Sequence, residues 1–173
     1  MPTSSTEPSV KIRPAVSADL PEVGKMAGAL VRFHHSLDEH RFLLVDGVEE
    51  GYARFFASQL TSKETVLLVA EREPKAGSDR AGHLLGYAYA RLEPRDWNAL
   101  LDACGALHDI FVVETERRSG VAQALLDEVV VRLTALGAPR MVLSTATGNE
   151  AAHRLFERHG FRRTMIEMTR ELP

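Results

Sequence analysis

At 173 residues and 19.1 kDa, the chain suits one domain that buries roughly 70% of its unfolded surface. Hydrophobic residues make up 45% and charged residues 26%, ordinary for a globular protein. A formal net charge of −3 argues against general nucleic-acid binding, so no nucleic-acid partner is expected. No apolar run approaches the ~20 residues needed to span a bilayer, so no membrane partner is expected either. The single cysteine, Cys104, cannot form an intrachain disulfide. Beside Gly105 and Ala106 it reads as a small filler rather than a nucleophile. Residues 1–9 lack the basic start and apolar centre of a signal peptide. They are expected to be a disordered tail on a single cytoplasmic domain, residues 10–173.

In chain order, Val10–Arg13 predicts a short strand ended by Pro14. Ser17 is placed as an N-cap, with Asp19 and Glu22 in the first turn, where the helix dipole favours acids. Leu20, Val23, Ala27, Leu30 and Val31 give the apolar stripe of a helix reaching about Phe33. Gly24 and Gly28 inside it each lower helix propensity by up to ~1 kcal/mol and are candidates for close packing. His34, His35, Asp38, Glu39 and His40 follow in a spacing that matches no standard zinc pattern, so no metal is expected. A second helix is predicted over Val48–Leu60, burying Tyr52, Phe55, Phe56 and Leu60.

Thr65–Ala70 reads as a strand by its β-branched content. Residues 71–82 form a turn-rich polar loop. His83–Leu92 is the returning strand, with Leu85, Tyr87 and Tyr89 on one face and Leu84, Ala88 and Ala90 on the other. Glu93–Gly105 is a connection containing Pro94 and Trp97. Arg162–Leu172 alternates imperfectly and predicts a C-terminal strand.

The most informative stretch is Leu107–Phe161. Leu107–Val113 is an apolar, β-branched run that reads as a buried strand. Glu114–Ala122 is a short polar turn, and Ala122, Leu125, Leu126, Val129, Val130 and Leu133 then recur at helical spacing. Strand, turn and helix in that order aim free backbone N–H groups and the positive end of the helix dipole at the turn, a setting for a phosphate. Gly120 permits close approach or a positive φ, and Arg117 and Arg118 add cationic charge. A plain structural turn explains the same residues equally well. The turn has neither the three-glycine dinucleotide pattern nor the Gly-Lys-Ser/Thr ending of a P-loop.

Arg117-x-x-Gly120-x-Ala122 matches the Q/R-x-x-G-x-G/A signature of the GCN5-related N-acetyltransferases. Asn149-x-x-Ala152-x-x-Leu155-Phe156-x-x-x-Gly160-Phe161 resembles that family's second signature. The resemblance implies an α+β, acyl-CoA N-acyltransferase fold: a mostly antiparallel mixed sheet of six to seven strands flanked by about four helices. It implies acetyl-CoA as cosubstrate, a primary amine as acceptor, direct attack in a ternary complex, and homodimers by analogy. Backbone groups of Arg117, Arg118, Ser119, Gly120, Val121 and Ala122 would then meet the pyrophosphate. The strand edge Ile110, Phe111, Val112 and Val113 would meet the pantetheine arm, in a slot that a β-bulge opens by splaying this strand from Arg140–Ser144. The Val112 N–H would face the thioester oxygen, with Asn149 and Phe156 beside the pantetheine.

The reaction needs a neutral amine, although a free alkylamine has a pKa of ~10, and it needs donors for an oxyanion and for the leaving thiolate. Leu107–Val112 resembles the L-E-D-F-F-V strand of spermidine/spermine acetyltransferases, with His108 in place of the glutamate and Asp109 matching the aspartate. His108 also falls where serotonin N-acetyltransferases carry a basic strand histidine. These two are the candidate catalytic residues. A regular strand would send them to opposite faces, so they are not expected to act as a dyad. Phe156 stands where the family often has a proton-donating tyrosine, and phenylalanine has no proton to give. Water, Tyr87 or Tyr89, or electrostatic stabilisation of the thiolate remain open. By the same resemblance the segment between the first two helices lines the acceptor pocket. Asp38, Glu39, Glu49 and Glu50 are therefore candidates for meeting a cationic amine, with Tyr87 a further acceptor-site candidate, against the alternative of a solvated acidic face. The Glu93–Gly105 connection is a candidate for a further acceptor-side loop. A small-molecule amine is expected over a protein N-terminus or lysine. The competing readings are a non-catalytic acyl-CoA-binding or sensor domain and a nucleotide-binding α/β module.

Overall fold

The computed structural model describes residues 10–72 and 83–173. The expected tail at 1–9 and most of the predicted polar loop at 71–82 lie outside them. Five strands form one sheet in sequence order: β1 (Val10–Pro14), β2 (Thr65–Arg72), β3 (His83–Glu93), β4 (Cys104–Val112) and β5 (Met141–Leu143). The first four pair antiparallel, and β5 alone runs parallel to β4. The mixed, mostly antiparallel sheet matches expectation, with five strands among the described residues where six to seven were expected. Residues 162–173 form no strand: all are exposed. An alternating pattern needs a sheet edge to pair with, and none is engaged here.

The four helices among the described residues are α1 (Leu20–Leu37), α2 (Val48–Gln59), α3 (Val121–Ala135) and α4 (Glu150–Arg158). α1 starts later than expected because residues 17–19 form a 3-10 turn. It is the Asp19 carboxylate that organises this turn. It accepts the Val16 N–H at 2.8 Å and two guanidinium N–H groups of Arg13 at 2.7 and 3.0 Å. Arg13 holds the Asp19 carboxyl below its usual range. Arg13 also reaches Glu71 on β2 at 2.6 Å, so one cation ties the first helix to two strands.

Each sheet face carries its own core. On one side Leu68, Leu85, Ala88, Ala90, Leu107 and Val112 pack under α3 and Phe156 of α4. On the other, Leu67, Val69, Leu84, Tyr87 and Tyr89 pack under α1 and Phe56 of α2. Leu84 and Leu85 have therefore exchanged the faces that simple alternation gives them. The β2–β3 register slips between Ala70 and Glu71, and a one-residue bulge reverses the facing of everything on its far side. α1 and α2 lie unusually close. A Cβ on Gly24 would sit 2.5 Å from the Glu49 carbonyl oxygen, so this glycine answers to packing rather than to propensity.

Candidate active site

The β3–β4 ladder contains a second bulge, and it makes the site. Tyr89 pairs with Asp109 and Ala90 with Leu107, leaving His108 as the extra residue. Leu107 packs under α3, whereas Phe111 and Val113 join the α1/α2 side. The bulge thus brings His108 and Asp109 to the same face, contrary to the expectation for a regular strand. Together with Tyr52 and Phe55 of α2 and Tyr89 and Glu93 of β3 they line an open cavity of about 380 Å³.

Two hydrogen bonds organise the polar side of this cleft. The Tyr87 hydroxyl donates to Asp109 Oδ2 at 3.1 Å, and His108 Nε2 lies 3.0 Å from Glu93 Oε1. The His108 ring stacks on Tyr89, with centroids 5.2 Å apart and planes 27° apart. Burial raises the Asp109 carboxyl above the ordinary aspartate range, because the ionised form loses hydration. Burial, with the nearby Asp109 charge, pushes the Tyr52 phenol up to about 12 and Tyr87 well above its usual value. Among the described residues no Lys or Arg lines the cleft, although Arg91 reaches the phenol of Tyr89 from outside it. Its chemistry is acidic groups against aromatic faces, the environment that attracts an ammonium group.

Behind His108 the sheet opens. β5 pairs with β4 only through Gly105, Ala106 and Leu107. Beyond the bulge, the Val113 N–H bonds Leu85 O of β3 at 2.9 Å, so strand alternation turns the Val112 and Ile110 N–H groups toward the side β5 has vacated. The hydroxyl of Thr145, just past β5, is buried without a hydrogen-bond partner among the described residues.

At the far end of β4 the chain makes a 3-10 turn at Glu114–Glu116 and enters α3 through Gly120, whose φ is +88°. Arg118 also adopts a positive φ, +65°. Ser119 Oγ donates to the Glu116 carbonyl at 2.5 Å, bracing the turn. Among the described residues no side chain caps α3, and its first turn holds no acid. The leading amides therefore have no side-chain cap. Arg117 and Arg118 are exposed beside them.

The acetyltransferase (GNAT) family model matches residues 32–161. The chain belongs to this family. Comparison with curated proteins gave no match. Among solved structures, the aminoglycoside N-acetyltransferase AAC(6')-Iy in complex with CoA superposes with a TM-score of 0.74, 17% identity, and coverage of 98% of this chain and 99% of that one. AAC(6')-IG from Acinetobacter haemolyticus gives 0.65, 20%, 94% and 99%. A tetramutant of the BH1408 protein from Bacillus halodurans gives 0.73, 19%, 94% and 99%. At these identities the likeness is one of fold.

The other predicted positions of this N-acetyltransferase are placed as follows. Asn149 caps α4, its Oδ1 accepting the Ala152 N–H at 3.2 Å. Phe156 is buried in the α3-side core, edge-on to Phe161 at 5.7 Å. Asp38 follows α1, and its Oδ1 accepts the N–H groups of His40 and Arg41, both at 3.1 Å. Glu39 and Glu50 are exposed, Glu49 pairs with Arg32 at 2.6 Å, and none of these four acids lines the cleft. Sequence reasoning missed Glu93, Tyr52 and Phe55 as site residues. Glu93 and Tyr89 share a face of β3, and Tyr52 and Phe55 are three apart on α2, but only the tertiary fold brings the two pairs together.

Proposed function

We propose that this acetyltransferase transfers the acetyl group of acetyl-CoA to the primary amine of a small cationic acceptor bound in the cleft between α2 and the β4 bulge. The observation that carries the reading is the bulge itself. It sets His108 and Asp109 against an aromatic wall, at the point where β4 parts from β5. The AAC(6')-Iy neighbour, also solved with the bisubstrate analogue CoA-S-monomethyl-acetylneamine, supports an amine acceptor.

The residues present fit acetyl-CoA. The Ile110–Val113 edge offers amides to a peptide-like arm, the uncapped α3 turn offers amides to a pyrophosphate, and Arg117 and Arg118 offset its charge. A Cβ on Gly120 would meet nothing within 4 Å, so the approach to these amides is open. When bound, acetyl-CoA supplies the acetyl group as an activated thioester. Asp109, with Oδ2 held by Tyr87, has its other oxygen for the incoming ammonium. His108 takes a proton from that nitrogen, leaving the lone pair that attack requires. With no hydroxyl at Phe156, the phenols facing the cleft are Tyr52 and Tyr89. Burial raises both, so at neutral pH each keeps its proton and acts as a donor.

The test is thiol release from acetyl-CoA with a panel of polyamines, amino acids, aminoglycosides and peptides. A small amine should stimulate turnover well above hydrolysis. His108→Ala should lower kcat by about 10²-fold, in the range for loss of a general base, while CoA affinity stays within about threefold. CoA binding without stimulation by any amine or peptide would instead favour a non-catalytic acyl-CoA-binding domain. The core packing of Phe156 in place of a tyrosine is the observation on that side.

A further inference from the structure

His108 is the unpaired residue of a bulge and is exposed, so strand pairing does not hold its ring. Two contacts do. Tyr89 stacks under it, and Glu93, four residues further along the same face of β3, meets Nε2 at 3.0 Å. A carboxylate only accepts hydrogen bonds, so Nε2 carries the hydrogen in this contact, and in the neutral ring Nδ1 keeps its lone pair. The Tyr89 stack sets the ring plane, and the Glu93 bond sets the rotation within it and the tautomer.

We propose that Glu93 is a positioning residue that orients His108 and fixes its tautomer, making Nδ1 the nitrogen that receives the proton from the acceptor amine. This rests on the acetyltransferase reading of the cleft and adds a second carboxylate with a role distinct from that of Asp109. Asp109 faces the acceptor, whereas Glu93 acts only through His108. During turnover the ammonium N–H bond breaks, its electron pair stays on the amine nitrogen, and the proton bonds Nδ1. Nε2–H remains on the ring and donates to Glu93 throughout.

The decisive experiment is a double-mutant cycle joined to nitrogen NMR of the free protein. Glu93→Ala should lower kcat about tenfold with KM within about twofold, and Glu93→Gln, which keeps an accepting oxygen, should recover to within about threefold of the parent. In a His108→Ala background, Glu93→Ala should change kcat by less than twofold. The neutral His108 ring should show one form, protonated at Nε2, in the parent and in Glu93→Gln, and a mixture of forms in Glu93→Ala. An equal loss in both backgrounds, or a loss confined to KM, would mean that Glu93 meets the acceptor itself, and the proposal fails. Unchanged ring nitrogen shifts in Glu93→Ala overturn it as well. If the parent acetylates no amine, the acetyltransferase reading of the cleft falls, and the NMR comparison still decides whether Glu93 sets the ring.

Discussion

Asp109 has two jobs that pull against each other. Its carboxylate faces the proposed acceptor, yet burial raises it above the ordinary range. The folded protein therefore binds this proton more tightly than the unfolded chain. Stability contributed by the group falls as pH rises from the unfolded aspartate value through the folded one, and the ionised form is a net strain at neutral pH. Asp109→Asn keeps an acceptor for the Tyr87 hydroxyl and removes that charge. Its melting temperature at pH 7 should exceed the parent's. The gap should shrink as pH is lowered toward 4, while turnover with the best amine drops. An Asp109→Asn protein less stable than the parent at pH 7 would show that the carboxylate is satisfied as it stands.

At the scale of elements, the cleft depends on how closely α2 approaches α1 and the sheet. Gly24→Ala would ordinarily stabilise a helix interior by up to ~1 kcal/mol. Here the new methyl meets the Glu49 backbone oxygen at 2.5 Å, and backbone cannot rotate aside as a flexible side chain could. The variant should lose about 1–3 kcal/mol, the range for overpacking, as read by urea unfolding. Because Tyr52 and Phe55 ride on α2, KM for the acceptor should rise as well. A stabilised Gly24→Ala would show that the helices have room to spare. This is also where legibility in the sequence divides. The apolar stripe of α1 and the strand character of β3 were readable residue by residue, because local periodicity encodes them. The β2–β3 bulge was not, and the bulge in β4 was expected from the family resemblance alone. Each depends on how two strands compromise over register, and nothing near Leu85 or His108 announces an extra residue. The turn at Arg117–Ala122 could be read because its backbone demands are local, and Gly120 at φ +88° meets one of them.

For the molecule as a whole, residues 162–173 stand apart from the two cores. Met165, Ile166, Met168 and Leu172 are 76–90% exposed, and the segment is tied down by exposed ion pairs, Glu167 with Arg41 and Arg163 with Glu157, the type that contributes ~0–1 kcal/mol each. A chain ending at Phe161 should melt within about 3 °C of the parent, and limited proteolysis followed by mass spectrometry should find its first cuts within 162–172. A large loss of stability on truncation would place hidden packing in this segment. Among the described residues no helix is long and apolar enough to cross a membrane, and no group of three or more His, Cys, Asp or Glu is set to hold a metal.

The sequence by itself determined the elements, their order up to α4, the family, and the turn that leads into α3. All of these follow from signals a few residues apart: hydrophobic period, turn chemistry, and the spacing of Arg117, Gly120, Asn149 and Phe161. Only the tertiary structure decided which side chains face one another. His108 and Asp109 share a cleft because a bulge reverses one strand's facing. Glu93 reaches His108 across the ladder, and Tyr52 and Phe55 close the wall because Gly24 lets α2 settle beside α1. Residue facing in a sheet has a period of two, so a single inserted residue inverts it, and where the insertion falls is settled by packing on both faces at once.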